Sequence, residues 1–112
     1  MAKTSSRTVI CHYRVKPGNE RKFLRLLRRH WPTLRRLGAV TATASRVYRG
    51  ADGSGRPMFW EIFEWRSDAA FEKAHRHPEV LAIWEPMDAL CEARGSNPNM
   101  EFPHVARLSL FA

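Results

Sequence analysis

Cysteine is scarce in this 112-residue chain: Cys11 and Cys91 are the only two, and they form no CxxC pair. That excludes a disulfide framework and a zinc knuckle, and it fits a reducing, cytoplasmic home. Long apolar runs are missing as well, and no stretch approaches the roughly 18 residues of a membrane span. The opening segment, Met1 to Arg7, is polar and basic. It lacks the apolar run of a signal peptide and is expected to be flexible. Acid is nearly absent from the first fifty residues, where Glu20 stands alone against thirteen Lys/Arg. Residues 51–112 reverse the balance, with ten Asp/Glu against six Lys/Arg, and the net charge is +8. Such asymmetry fits an anionic partner, or a basic element meeting an acidic one. Repeats, low-complexity tracts and linkers are also lacking, so residues 1–112 read as a single domain. A hydrophobic content of 44% rules out disorder. A chain this short buries only about two-thirds of its unfolded surface, so pairing with a second copy would help it.

Thr8–Val15 is rich in β-branched and aromatic residues and reads as a strand. Pro17-Gly18 signals a turn, and Asn19 is a candidate helix cap. From Glu20, apolar Phe23, Leu24, Leu27, Trp31 and Leu34 recur at helical spacing. Pro32 is expected to kink or interrupt this helix, and Gly38 to stop it. Ala39–Arg49 reads as a second strand, paired as a hairpin with a third at Arg56–Arg66. Ser67-Asp68 opens a short helix to about Arg76. Pro78 begins another, which Pro86 should bend. Glu101–Phe111 reads as the last strand. The order β-α-β-β-α-β predicts an α+β, ferredoxin-like sandwich with an antiparallel sheet.

Strand alternation then sorts the faces. Val9, Cys11, Tyr13 and Val15 share one side, as do Phe59, Glu61, Phe63 and Trp65; these sets are assigned to the helix side. The opposite face still holds Ile10, Trp60 and Ile62, too apolar to sit in water. A homodimer would cover it.

Several short motifs carry a family likeness. They are Tyr13-Arg14-Val15-Lys16-Pro17-Gly18 leading to Phe23, the strand end Phe63-Glu64-Trp65-Arg66-Ser67, then Ala70 with Ala74-His75, and the helix with Pro78, Val80 and Trp84. Over roughly residues 8–92 the chain resembles the antibiotic-biosynthesis-monooxygenase-like group of the dimeric α/β-barrel superfamily. The resemblance implies two sheets packed face to face as a dimeric barrel, with a pocket between helices and sheet in each subunit. It implies, too, a cofactor-independent oxygenase acting on polycyclic phenols or quinols. Other members degrade haem and keep a Trp and a ligating His where Trp65 and His75 stand. Their strand-one Asn is replaced by Cys11 here, which tells against haem degradation.

Cofactor-free oxygenation needs a base to turn the substrate into an electron-rich anion, and donors to stabilise it. His75 is the first candidate for acid/base, with Tyr13 as donor and Glu61 as a carboxylic acid tuned by burial. Cys11, Phe63, Trp65 and Trp84 are the candidate substrate-binding walls for a small aromatic ligand. No cofactor is required by this chemistry. His75 and His77 with Glu79 offer metal-ligand types, but the helix break between them spoils regular geometry, so no metal is assigned. Blander readings stand beside these: Phe63 and Trp65 as core, Cys11 as a small core residue, His75 as a helix-end residue, Glu61 paired with a second-strand arginine. Two other functions remain open. One is a non-catalytic dimeric ligand- or haem-binding protein. The other is a nucleic-acid-binding module, disfavoured because Glu61 and Glu64 sit on the aromatic strand.

Overall fold

The computed structural model describes residues 7–111; the segment expected to be flexible lies, but for Arg7, outside them. Eight elements follow in chain order: β1 (Arg7–Tyr13), α1 (Glu20–Arg36), β2 (Arg46–Ala51), β3 (Pro57–Trp65), α2 (Asp68–Ala74), α3 (Pro78–Ala89), β4 (Met100–Glu101) and β5 (His104–Val105). The sheet is antiparallel, in the order β2-β3-β1-β4, with β5 also on β1. This is the ferredoxin-like α+β sandwich, its last strand split in two.

Register fixes what faces the helices. Val9 pairs with Phe63, Cys11 with Glu61 and Tyr13 with Phe59. All six are buried, and they form the sheet side of one core with Phe23, Leu27 and Leu34 of α1 and Val80, Ile83 and Met87 of α3. On the other face Ile10, His12, Trp60, Ile62 and Glu64 are only half-buried. Gly50 of β2 makes room there. A Cβ at Gly50 would lie 2.8 Å from the Trp60 ring, so only glycine lets the indole lie flat across the strand.

Three local expectations change. Asn19 makes no side-chain cap; the Glu20 carboxylate instead accepts a hydrogen bond from the Gly18 N–H at 2.7 Å. Pro32 and Pro86 interrupt neither helix, because Leu27 and Leu34, and Ile83 and Met87, are buried on both sides of each proline. Packing there outweighs one missing backbone hydrogen bond. Gly38, at φ +76°, does end the chain's helical run after Leu37. The second strand begins at Arg46 rather than Ala39. Residues 39–41 pair with the sheet only at the end of β3, through Val40 opposite Trp65, and the chain then leaves the sheet.

The last strand is the largest correction. It consists of two residue pairs, 100–101 and 104–105, separated by Phe102 and Pro103. Val105, opposite Thr8, is the last residue paired with β1 among the described residues. Leu108 (71% exposed) and Phe111 (97% exposed) stand in solvent.

Short helices are set by their caps. The Ser67 hydroxyl accepts from the Ala70 N–H at 3.0 Å and starts α2. His77 Nδ1 accepts from the Glu79 N–H at 3.1 Å and starts α3, with Pro78 in the first turn. These two caps bracket His75 and place it at the C-terminal end of α2.

Candidate active site

A cavity of about 350 Å³ lies between the helix side of the sheet and helices α1, α2 and α3. Its floor is β1 and β3, through Val9, Cys11, Tyr13, Phe63 and Trp65. Its walls are His30 of α1, Phe71 and His75 at α2, and Trp84 and Met87 of α3. Met100, Phe102 and His104 close the fourth side. The lining is almost wholly apolar and aromatic, with polar atoms at a few points. That is the make-up of a site for a flat apolar ligand with one or two polar handles.

The first polar feature is a buried chain of hydrogen bonds. Trp84 Nε1–H donates to His30 Nε2 at 2.7 Å. An indole N–H only donates, so His30 Nε2 carries the lone pair and Nδ1 the proton. His30 Nδ1 lies 2.9 Å from Glu61 Oε1, and the same oxygen accepts the Tyr13 hydroxyl at 2.8 Å. Direction is thus fixed along the whole chain, and it converges on one carboxylate. Glu61 is fully buried, and its other oxygen, Oε2, has no partner among the described residues. Burial first, and then the Glu61 charge, push the Tyr13 phenol well above its ordinary range. The same two causes, in that order, push the Cys11 thiol up. Cys11 is therefore a neutral wall residue and not a nucleophile.

The second feature is His75. Its Nδ1 sits 2.7 Å from the Phe71 carbonyl, which can only accept. Nδ1 therefore holds the proton, and in the neutral ring the lone pair is on Nε2. The ring packs on Phe71 at 4.2 Å and on Trp84 at 4.7 Å between centroids. His104 continues this aromatic wall, 5.2 Å from Phe71. Burial, followed by the nearby Arg7 charge, lowers the pKa of His104 below the ordinary imidazole value. His104 Nδ1 and Trp65 Nε1 are both buried without a hydrogen-bond partner among the described residues. An orphaned indole N–H in a cavity wall is a donor in search of an acceptor.

Six of the seven residues singled out from the sequence line this one cavity: Cys11, Tyr13, Phe63, Trp65, His75 and Trp84. Glu61 does not. It sits behind Tyr13 and His30, and it pairs with them and not with a β2 arginine. His30 was missed. The helical stripe was read through Trp31, whereas the buried positions of α1 are Phe23, Leu27, His30 and Leu34. The signal was present, since His30 stands three residues after Leu27 and four before Leu34. Phe71, Met87, Met100, Phe102 and His104 were missed also. Phe102 and His104 ride on the segment read as a regular strand, and Met100 directly precedes it. Among the described residues, no group of three His, Cys, Asp or Glu side chains could hold a metal ion, and no helix is long and apolar enough to cross a membrane.

The architecture is the ferredoxin-like α+β fold seen in antibiotic biosynthesis monooxygenases, matched across nearly the full chain. SnoaB, a cofactor-independent oxygenase from Streptomyces nogalater, aligns at TM-score 0.67 with 19% identity, covering 95% of this chain and 97% of that one. PA3566 from Pseudomonas aeruginosa aligns at 0.71 with 21% identity, covering 97% and 100%. A further antibiotic biosynthesis monooxygenase aligns at 0.69 with 17% identity, covering 91% and 98%. At these identities the likeness establishes the fold. No protein-family model and no curated protein matches the chain.

Proposed function

We propose that this chain is a small cofactor-independent oxygenase acting on a planar polycyclic phenol or quinol. The observation that carries the proposal is His75, an exposed histidine in the wall of an aromatic cavity, with Nδ1–H tied to a carbonyl and Nε2 left as a base. The fold shared with SnoaB supports the same chemistry. The cavity volume is near the lower end for ligand sites, which fits about two or three fused rings.

In this reading the substrate's rings lie among Phe63, Trp65, Phe71 and Trp84. His75 Nε2 removes an acidic proton, and the Trp65 N–H stabilises the negative charge that develops on oxygen. The anion reduces dioxygen, and a carbon–oxygen bond forms to give a hydroperoxide. The O–O bond then breaks, one oxygen leaves as water, and the carbon becomes a carbonyl. The substrate supplies both electron pairs, so no other reductant enters.

We assign the half-buried face with Ile10, Trp60 and Ile62 to a homodimer contact. The free, buried thiols of Cys11 and Cys91 suit a cytoplasmic location. The test is oxygen uptake by chelator-treated protein with a panel of hydroxylated anthrones and naphthols. Uptake matching product one to one, and lowered about 100-fold or more by His75→Ala, supports the proposal. Turnover that His75→Ala leaves unchanged, or binding without any uptake across the panel, overturns it.

A further inference from the structure

The exposed face of α1 carries Arg21, Lys22, Arg25, Arg28, Arg29, Arg35 and Arg36, with Glu20 as its one acid. Three of these cations, Arg21, Arg25 and Arg28, stand at spacings of four and three and so share one stripe. With Lys22, and with Arg49 reaching across from β2, they line an open groove of about 920 Å³ on the outside of the molecule, away from the aromatic cavity. Arg49 is aimed into place by the Phe59 ring, 5.5 Å below its guanidinium. The Glu20 carboxylate faces the same groove but is engaged by the Gly18 N–H. All eleven Asp and Glu of the chain lie among the described residues. None forms an ion pair with Arg21, Lys22, Arg25, Arg28, Arg29 or Arg49.

This arrangement works against the helix itself. Arg21 with Arg25, Lys22 with Arg25, Arg25 with Arg28, and Arg25 with Arg29 are like charges at the two helical contact spacings. An ordinary solvated face would interleave acids. The basic half of the sequence therefore does not meet the acidic half here, and the charge is left for something outside the chain.

We infer that this groove binds the phosphate backbone of a nucleic acid, without reading its sequence. Four of the five cations are arginine, whose planar fork matches phosphate oxygens. The groove holds only Leu24 as an apolar side chain, and no aromatic. A protein partner would need an apolar anchor at the centre. Insertion into a membrane would need the apolar side of α1, and Phe23, Leu27 and Leu34 are buried in the core. A ligand bound by charge alone, with no base stacking, remains, and that is backbone recognition. The open sheet face is not used in this inference, which stands apart from the oxygenase reading.

The experiment is fluorescence anisotropy of a labelled duplex of about 20 base pairs across about 50–200 mM salt. Five phosphate contacts predict a slope of log K against log salt of about −4.5, a loss of about 500-fold over that range. Arg25→Gln with Arg28→Gln should bring the slope to about −2.7 and leave thermal stability unchanged or raised. Absence of binding at about 50 mM salt overturns the inference. So does a double variant that binds as the parent does, or tighter binding to vesicles of equimolar phosphatidylserine and phosphatidylcholine than to the duplex.

Discussion

Removing His30 should unbalance the core more than any other single change at the cavity. His30→Leu keeps the volume roughly constant but withdraws the Nδ1–H from Glu61 and the Nε2 acceptor from Trp84. Glu61 is fully buried, one of its oxygens already lacks a partner, and its other oxygen would keep only Tyr13. Leaving a buried acceptor without its donor costs about 1–3 kcal/mol, and more when the acceptor is charged. That is a sizeable part of the roughly 5–15 kcal/mol available to a domain. Glu61→Leu should cost less, since it leaves the Tyr13 hydroxyl and the His30 N–H unpaired but no orphan charge. The double variant His30→Leu with Glu61→Leu should then be more stable than the sum of the singles by about 1–3 kcal/mol. Urea denaturation at neutral pH reads all four corners of the cycle. Should His30→Leu cost under about 1 kcal/mol and the double prove additive, the buried chain would not be a unit and the reasoning would fail.

Other consequences are measurable. Cys11, Tyr13 and Cys91 all have pKa values raised by burial, Cys91 to about 12 from an ordinary 9.0. The folded chain thus keeps protons that the unfolded chain releases, so stability is complete below about pH 9 and falls as pH rises beyond it. Cys11→Ala should flatten that fall by about 1.4 kcal/mol per pH unit in a denaturation series, and an unchanged slope would contradict the assignment. Gly50→Ala should force the Trp60 ring off β2, at a cost of about 1–3 kcal/mol. In native mass spectrometry the parent should be a dimer and this variant should lean toward monomer; a monomeric parent would remove the interface. Trp84→Phe keeps the cavity aromatic but frees His30 Nε2, at about 1 kcal/mol in thermal or chemical unfolding.

The sequence showed the sheet more clearly than the site. Alternation in Val9, Cys11, Tyr13 and in Phe59, Glu61, Phe63, Trp65 is a period-two signal that survives in three dimensions, because the helices bury one whole face. Local propensity misled where tertiary packing decides. Pro32 reads as a kink or a break, yet buried neighbours carry α1 through it. Ala39–Ser45 is rich in β-formers but has nothing to pair with beyond Thr41. The last strand is cut to two residue pairs by Phe102 and Pro103, the second of which has no N–H to give a ladder. Pocket residues from the strands were legible by face. His30 was not, because a histidine within a basic helix looks like surface until its neighbours Leu27 and Leu34 are both seen to be buried. The partners of Glu61 were likewise invisible, since they come from elements 31 and 48 residues away.

The oxygenase reading stands on His75 as the base that ionises a bound phenol. Anaerobic mixing of the protein with a hydroxylated anthrone isolates that step from oxygen chemistry. At a pH about one unit below the ligand's own ionisation, the anion's absorbance should appear on binding, be lost in His75→Ala, and bleach once oxygen is admitted. A ligand that binds in the cavity and stays neutral, or that ionises equally well in His75→Ala, would contradict it.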